Sequence, residues 1–418
     1  MSNQRFYITH WCGIPPAYLR RPDGTLDETR FLQMKEAGLN LIFPYDHGVP
    51  TNREILALCH RLGLRVTLSD HRLHAALSDA QNRRTLLQSV VNDYADCPAL
   101  HGYHLFDEPH RRDFAALSAT LAELKALDPD HEGYINLFAN YVPPTLLGFD
   151  DYAEYVRRFA AEVKPPLLSY DHYHFLTDEP LPAVDIPNER ERLILESAYQ
   201  KENRPGFFDN IEDVRAAAMQ ANIPFMVIVL LTAHGPCRDL TEAEIRFEVY
   251  QSLAYGASRL SYFTYWTPGE PNDPNDIWHW KAGMIDQLGQ STHHYGMVAR
   301  VNRELQAVGD ILLGKRSLGV FHVGICPDTK TTPWPGTFDD ITAIAAQDLT
   351  VGRFEGGYIL LANKDYENPI TASLTVKDGR RIEQYDKPSG EWRSLSPVSG
   401  CYCIPMGAGD GQLIRILS

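Results

Sequence analysis

The feature that most constrains the fold is an alternation of short apolar runs and amphipathic stretches, which recurs about eight times between the amino terminus and residue 315. The apolar runs are rich in β-branched and aromatic residues and roughly four to eight residues long, as is typical of strands buried in a parallel sheet. The strands predicted from them are Phe6–Cys12, Leu39–Tyr45, Leu64–Asp70, Leu100–Phe106, Gly133–Phe138, Leu167–His174, Pro224–Thr232 and Leu260–Trp266. Strand–helix units that follow one another without a long strand-only section predict a closed (β/α)8 TIM barrel. An open doubly wound sheet is the alternative, and the lack of a Gly-rich phosphate loop after the first strand disfavours it.

After about residue 316 the pattern becomes one of short alternating runs separated by Gly, Pro and Asp turns. Such a pattern is typical of antiparallel strands. The runs are Leu318–Ile325, Ile341–Leu349, Gly357–Asn363, Ala372–Val376 and Gln412–Leu417. We therefore expect two domains, the barrel over residues 1–315 and a small antiparallel, β-sandwich-like domain over residues 316–418.

The net charge and the cysteine pattern of the chain limit the kinds of binding partner and the cellular compartment that we expect. The formal net charge is −15, which excludes nucleic acid as an expected partner because phosphate binding needs a basic face. No apolar stretch is long enough to predict a membrane span, and the first residues do not resemble a signal peptide. The seven cysteines are scattered, without paired CxxC motifs, which favours a reducing compartment. We therefore expect a cytoplasmic protein.

Polar and aromatic residues cluster at the predicted strand ends, whereas the strand middles are apolar. In a barrel of this kind the active site lies at the carboxyl ends of the strands. Aromatic faces stack on sugar rings, and carboxylates and imidazoles bind hydroxyl groups, so the composition favours a small carbohydrate as ligand. The predicted substrate-binding residues are His10, Trp11, Tyr45, Asp46, His104, Asp107, Asn136, His172, Tyr173, His174, His234, Tyr265, Trp266 and Glu270.

Hydrolysis of a glycosidic bond needs two carboxyl groups that face the scissile bond. The sequence Asp107-Glu108-Pro109 closes the fourth strand. Adjacent strand residues point to opposite faces, so we expect one of the two carboxylates to point into the pocket. We predict that Glu108 is the general acid and that Asp107 orients it or binds a hydroxyl group. In the alternative, both are solvated loop residues and Asp107 caps the next helix.

Asp171, which closes the sixth strand, is predicted as the second catalytic carboxylate. Two strands of separation from Glu108 predict a gap on the order of 7–10 Å, nearer to the spacing of inverting than of retaining enzymes. Glu270 is a competitor, and Glu196 in the long acidic loop 175–206 is a weaker one. Asp171 could instead be a buried carboxylate that pairs with Arg or His for structure.

Two other classes of function stay open at this point. His172 and His174 share a strand face, which keeps a metal-dependent sugar isomerase or epimerase open, although no HExxH motif is present. A non-catalytic sugar-binding barrel is the other alternative. Trp278 and Trp280 form either a binding platform or a hydrophobic anchor for their loop. We expect neither a metal ion nor a cofactor.

Four stretches of the chain resemble the clan A glycoside hydrolases, a barrel group that includes the family 42 β-galactosidases. The resemblance implies a (β/α)8 barrel and an acid/base glutamate at the end of the fourth strand, which corresponds to Glu108. The stretches are Met34–Asn40, Gly102–Pro109, Tyr255–Ala257 with Tyr262–Trp266, and Gly289–Thr292 with Tyr295 and Val301–Leu305.

Two departures from the clan pattern bear on the mechanism. Asp107 occupies the place of the usual asparagine before the acid, and the seventh strand, Phe225 to His234, contains no carboxylate where the clan has its nucleophile. The missing nucleophile leaves three alternatives: another carboxylate such as Asp171 serves in its place, the reaction is inverting, or the chain is a divergent relative with altered chemistry. The leading hypothesis is a glycoside hydrolase that removes terminal sugars from short oligosaccharides or glycosides.

Overall fold

The computed structural model describes residues 5–177, 188–189, 192, 203–273 and 276–417. Parallel strands alternate with helices up to Leu312, and antiparallel strands follow.

Eight parallel strands close into a ring. They hydrogen-bond in two runs, in the orders β1-β8-β7-β6 and β2-β3-β4-β5. The runs are joined where Leu137 N donates to Ser169 O at 2.8 Å and where Asn40 N donates to Ile8 O at 3.0 Å. The closed barrel is therefore confirmed, and the open sheet is wrong. The strands are β1 (Tyr7–His10), β2 (Leu41–Ile42), β3 (Arg65–Leu68), β4 (Leu100–Asp107), β5 (Glu132–Asn136), β6 (Leu168–Asp171), β7 (Phe225–Leu230) and β8 (Arg259–Phe263).

Helices lie between the strands, with boundaries that local sequence explains. Gly63, at φ +71°, ends one helix in the left-handed conformation that glycine adopts without strain. Thr241 and Glu244 form a capping box at the start of another. No helix of the described ranges is long and apolar enough to cross a membrane. The helices are α1 (Pro16–Leu19), α2 (Glu28–Glu36), α3 (Val49–Leu62), α4 (His71–Ser78), α5 (Arg83–Tyr94), α6 (Phe114–Leu127), α7 (Pro144–Leu147), α8 (Tyr152–Val163), α9 (Phe207–Ala221), α10 (Glu242–Ala254) and α11 (His293–Leu312).

The inside of the ring is packed below the strand ends. Phe43, Tyr134, Leu167 and Met226 form a buried cluster there, and Trp11 packs against it. A filled barrel interior is normal for this fold and confines any ligand site to the carboxyl ends of the strands.

The carboxyl-terminal part is antiparallel, as its alternating pattern predicts. It has one sheet in the order β15-β14-β17-β12-β11-β9 and another in the order β10-β13-β16. Val351, Leu374 and Ile404 are among the residues of the core that these strands share. The expected division at residue 315 falls between the end of α11 and the start of β9, and it stays a prediction. The strands are β9 (Ser317–Val323), β10 (Ile341–Ala345), β11 (Leu349–Phe354), β12 (Tyr358–Asn363), β13 (Ile370–Val376), β14 (Arg381–Asp386), β15 (Glu391–Ser394), β16 (Tyr402–Met406) and β17 (Gly411–Leu417).

The β domain is docked on helix α10 of the barrel. Arg246 of α10 pairs with Glu304 of α11 at 2.8 Å and with Asp410 of the β domain at 3.2 Å. Gly352 lies so close to this helix that a Cβ atom there would be 2.1 Å from the Ala254 carbonyl oxygen. The contact therefore requires glycine at this position.

Candidate functional site

A cavity of about 290 Å³ lies at the carboxyl ends of the barrel strands. A larger hollow of about 940 Å³ lies outside the barrel, between residues of α6, α8 and α9. We place the candidate site in the smaller cavity because ligands of this fold bind at the strand ends. Its lining residues are Trp11, Asp107, Glu108, Asn136, Tyr141, Val142, Asp171, Tyr173, Arg204, Ile228, His234, Pro236, Cys237, Phe263, Trp278 and Trp280.

Glu108 reaches the cavity because the chain turns sharply where β4 ends. Its φ is +53°, in the left-handed region that non-glycine residues rarely adopt. Its backbone N–H donates to Asn136 O at 2.9 Å. The turn interrupts the strand alternation, so Asp107 and Glu108 both line the cavity. Strand alternation alone would direct only one of them there, and which carboxylate points into the pocket stays a prediction. A backbone conformation of this kind costs on the order of 1–3 kcal/mol and is common at functional sites.

One side chain links two carboxyl groups from the strands on either side of it. Asn136 Nδ2 donates to Asp171 Oδ1 at 2.9 Å and to Asp107 Oδ1 at 3.2 Å. Its Oδ1 accepts a hydrogen bond from Ser169 Oγ at 2.9 Å. Asn136 therefore holds the ends of β4 and β6 together at the cavity floor.

Asp171 is 5% exposed, so water stabilises its charge poorly. Burial raises the pKa of Asp171 to about 7. The hydrogen bond from Asn136 opposes this rise, the charge of Asp107 adds to it, and the charge of Arg204 opposes it. Asp171 thus changes protonation near neutral pH, and pKa values shifted in this way cluster at functional sites.

Arg204 brings a buried positive charge to the cavity wall. It is 1% exposed. Its Nη1 donates to the Tyr173 carbonyl oxygen at 2.7 Å, and its guanidinium carbon lies 3.7 Å from the centre of the Tyr141 ring. Sequence analysis missed both Arg204 and Tyr141. Tyr141 follows β5 closely enough for the strand-end rule to find it, whereas Arg204 sits at the end of a long loop without a motif.

Aromatic side chains form a second wall of the cavity. His234 stacks on Trp280 with ring centres 4.7 Å apart and an angle of 19°, and Tyr173 stacks on Phe263 at 5.3 Å. His234 Nδ1 lies 2.7 Å from the Thr232 carbonyl oxygen, which can only accept, so Nδ1 carries the proton. Burial lowers the pKa of His234 to about 4. The imidazole is therefore neutral and its Nε2 is an acceptor. Trp278 also lines the cavity.

Seven of the residues predicted from strand ends thus line one cavity. They are Trp11, Asp107, Glu108, Asn136, Asp171, Tyr173 and His234. The other predicted residues lie outside its lining. They are His10, Tyr45, Asp46, His104, His172, His174, Tyr265, Trp266 and Glu270.

Two of the outlying histidines fill the barrel interior. His10 is fully buried and its ring packs against Tyr265 at 5.2 Å. His104 packs against Phe43 at 4.8 Å. Burial lowers the pKa of His10 to about 4 and that of His104 to about 3, so both are neutral packing residues.

His172 and His174 lie behind the cavity wall because β6 ends at Asp171 and the chain then leaves the barrel. His172 is 1% exposed and packs against Tyr141 and Phe207 at 5.2 and 5.6 Å. His174 Nδ1 lies 2.8 Å from the Arg204 carbonyl oxygen. Both histidines therefore support the residues that do line the cavity.

The remaining outlying residues have local roles or lie in solvent. Asp46 accepts hydrogen bonds from the backbone of Gly48 and His71, both at 2.9 Å. Tyr45 is 41% exposed, Trp266 packs against Tyr18 at 4.9 Å, and Glu270 is exposed. Glu196 lies outside the described residues.

Two groups of side chains in the described part of the chain have the spacing of metal ligands. They are Asp46, Asp70 and His71, and Asp239, His293 and His294. Neither group includes a residue of the cavity. No observation in the described residues therefore favours the metal-dependent isomerase over the hydrolase.

Comparison with known proteins identifies the fold. No protein-family model matches the chain, and no curated protein matches it in sequence. A glycoside hydrolase of family 5 from Bacteroides vulgatus matches with a TM-score of 0.60 and 11% identity, over 99% of this chain and 89% of that one. A structure described as a glycoside hydrolase matches with a TM-score of 0.58 and 12% identity, over 100% and 96% of the two chains.

A third solved structure is larger than this chain. The β-galactosidase from the psychrophilic Marinomonas ef1 matches with a TM-score of 0.52 and 12% identity, over 75% of this chain and 63% of that one. The chain thus spans less than two thirds of that β-galactosidase. At these identities the likeness concerns the fold, and it confirms that this chain folds as a barrel of the kind found in glycoside hydrolases.

Proposed function

We propose that the chain is a glycoside hydrolase in which Glu108 is the general acid and Asp171 is the second catalytic carboxylate. The observation that carries the proposal is that both residues line one cavity at the strand ends, which aromatic side chains also line. The solved structures that share its fold are described as glycoside hydrolases, which supports the reaction class.

In the proposed reaction Glu108 donates its proton to the glycosidic oxygen as the bond from that oxygen to the anomeric carbon breaks. In an inverting reaction, ionised Asp171 accepts a proton from the water molecule whose oxygen bonds to the anomeric carbon. A separation of two strands favours this course over direct attack by Asp171. Proton transfer by positioned groups of this kind contributes roughly 10²–10⁴-fold to the rate.

The other cavity residues suit the binding of one sugar ring. The rings of Trp280 and Tyr173 offer apolar faces, and His234 Nε2 and the Asp107 carboxylate offer acceptors for hydroxyl groups. A volume of about 290 Å³ lies at the lower end of the range of ligand pockets. We therefore infer that the substrate is a short oligosaccharide or a glycoside with one terminal sugar in the cavity. The cytoplasmic location stays a prediction.

The test is a panel of aryl glycosides with varied sugars and anomers, assayed with the parent chain and with Asp171→Asn. We expect release of the aryl alcohol from at least one glycoside, with a loss of 10²-fold or more in the variant. Asp130→Asn, at an exposed position beyond the other end of the barrel, is the matched control and should act like the parent. The proposal is wrong if no glycoside is cleaved or if the two variants are equally active. Sugar isomerisation that depends on added Mg²⁺ or Mn²⁺ would favour the isomerase, and binding without turnover would favour a sugar-binding barrel.

A further inference from the structure

Three neighbouring strands of the barrel each end in one polar side chain of a shared hydrogen-bond network. Asp107 closes β4, Asn136 closes β5 and Asp171 closes β6. Both carboxyl groups accept from the same atom, Asn136 Nδ2, at 3.2 and 2.9 Å. A side-chain amide nitrogen carries two hydrogen atoms, so one goes to each carboxyl group.

The orientation of Asn136 is fixed by the residues behind it. Its side chain is 2% exposed, and its Oδ1 accepts from Ser169 Oγ at 2.9 Å. Ser169 Oγ in turn lies 3.1 Å from the Tyr134 hydroxyl oxygen. A flipped amide would turn its oxygen towards the Asp107 carboxylate, which is also an acceptor. The amide therefore presents its NH₂ group to Asp107 and Asp171 in a set geometry.

The two carboxyl groups differ in their access to water. Asp107 is exposed, whereas Asp171 is 5% exposed. Like charges this close disfavour each other, and the cost of a second charge is larger where water is excluded. A proton shared between the two is therefore expected on Asp171.

Apart from the carboxyl groups, the titratable groups that face Asp171 do not add a negative charge that would keep it protonated. Arg204 acts in the opposite direction and favours the ionised form of Asp171. The hydroxyl groups of Tyr141 and Tyr173 and the thiol of Cys237 are neutral at physiological pH because burial raises the pKa of each. Burial also raises the pKa of Tyr134 and Tyr152. Burial is the largest cause of the raised pKa of Asp171, and the charge of Asp107 adds to it. Glu108 is the other carboxyl group that lines this cavity.

We propose that Asp107 is a positioning residue for Asp171: the two carboxyl groups share the donor Asn136 Nδ2, and the negative charge of Asp107 helps to keep a proton on Asp171. The inference gives a role to the carboxylate that stands here where clan A glycoside hydrolases usually have an asparagine. The kinetic test of this inference rests on the proposed function, whereas the titration of Asp171 does not.

The direct test is the titration of the Asp171 carboxyl carbon, followed by ¹³C NMR on protein labelled at aspartate. The Asp171 signal is identified by its absence from Asp171→Asn. In Asp107→Asn, which keeps the shape and removes the charge, we expect the titration midpoint of Asp171 to fall by about one pH unit or more. Asp130→Asn removes a charge by the same substitution far from the network and should leave the midpoint unchanged.

A second variant moves the titration in the opposite direction. Asn136→Ala removes the donor to Asp171, so we expect the midpoint to rise. If Asp107→Asn does not fold, Asp107→Ser removes the same charge and serves in its place. An unchanged midpoint in Asp107→Asn, or a fall in Asn136→Ala, would overturn the inference.

Kinetics separate this inference from the proposed function. If a glycoside is hydrolysed, the acidic limb of kcat/KM against pH should move with the Asp171 titration in each variant. A shifted titration without turnover of any glycoside would refute the proposed function and leave the inference intact. Turnover with an unshifted titration and an unshifted acidic limb would refute the inference alone.

Discussion

Replacing Asp171 with asparagine should stabilise the folded protein above neutral pH while it removes activity. Burial, with the charge of Asp107, raises the pKa of Asp171 to about 7, against about 3.9 in an unfolded chain. A group whose pKa is raised by folding contributes stability fully below its unfolded pKa, and that contribution is lost as the pH rises through the folded pKa. A difference of about three units at about 1.4 kcal/mol each gives a penalty on the order of 4 kcal/mol at pH 8. Asparagine keeps the shape and an acceptor for Asn136, and it carries no charge.

The assay is thermal or urea unfolding of the parent, Asp171→Asn and Asp130→Asn at pH 4, 6 and 8. We expect Asp171→Asn to unfold at a higher temperature than the parent at pH 8, with the gain shrinking towards pH 4, where Asp171 is protonated in the folded parent and about half protonated in the unfolded chain. Asp130 is exposed, so its variant should follow the parent throughout. A variant that is less stable than the parent at pH 8, or a gain that does not depend on pH, would refute the electrostatic argument.

Three further predictions concern activity and packing. If the reaction requires ionised Asp171, kcat/KM should fall about 100-fold between pH 8 and pH 5, because only about 1% of a group with a pKa near 7 is ionised at pH 5. Full activity at pH 5 would contradict this prediction. Trp280→Ala removes an aromatic face from the cavity. It should raise KM about tenfold with less effect on kcat, since aromatic contacts contribute roughly 0.5–1.5 kcal/mol. An unchanged KM would show that Trp280 does not contact the substrate. Gly352→Ala places a Cβ atom 2.1 Å from the Ala254 carbonyl oxygen and should lower stability by about 1–3 kcal/mol in urea unfolding. Gly407→Ala, whose Cβ would meet nothing nearer than 3.8 Å, is its control, and equal effects of the two changes would argue against close docking of the β domain.

The barrel was predictable from the sequence because its strands are buried on both faces and read as continuous apolar runs. All six residues of β7 are buried, for example. The ends of the strands were harder to place. The predicted strand Leu167–His174 is observed as β6, Leu168–Asp171. The chain leaves the ladder after Asp171, while the residues that follow are still aromatic and buried or half-buried. This is why His172 and His174 were predicted to bind substrate but lie behind the cavity wall.

In the β domain, strands with weak alternation escaped prediction. β14 and β15 have the sequences RIEQYD and EWRS, and most of their residues are partly or fully exposed, so no buried face marks them. The single predicted run Ile341–Leu349 is two elements, β10 and the start of β11. Apolar character alone did not reveal the turn between them.

The candidate site could be predicted where it depends on strand ends and not where it depends on loops. Asp171 and Asn136 close barrel strands, so the position rule finds them. Arg204 closes no barrel strand, and its place at the cavity depends on tertiary contacts with Tyr141 and Tyr173. The left-handed turn at Glu108 was also not evident, because nothing in its residue type indicates a positive φ.

The proposed mechanism depends on Glu108, which delivers a proton to the departing group in this cavity. The most direct measurement is kcat/KM of the parent and of Glu108→Gln on aryl glycosides of one sugar whose leaving groups differ in acidity. We predict that Glu108→Gln loses roughly 10²–10⁴-fold on phenols of high pKa and much less on strongly acidic phenols, which depart without a proton. An equal loss on all leaving groups, or no loss on any, would contradict the account.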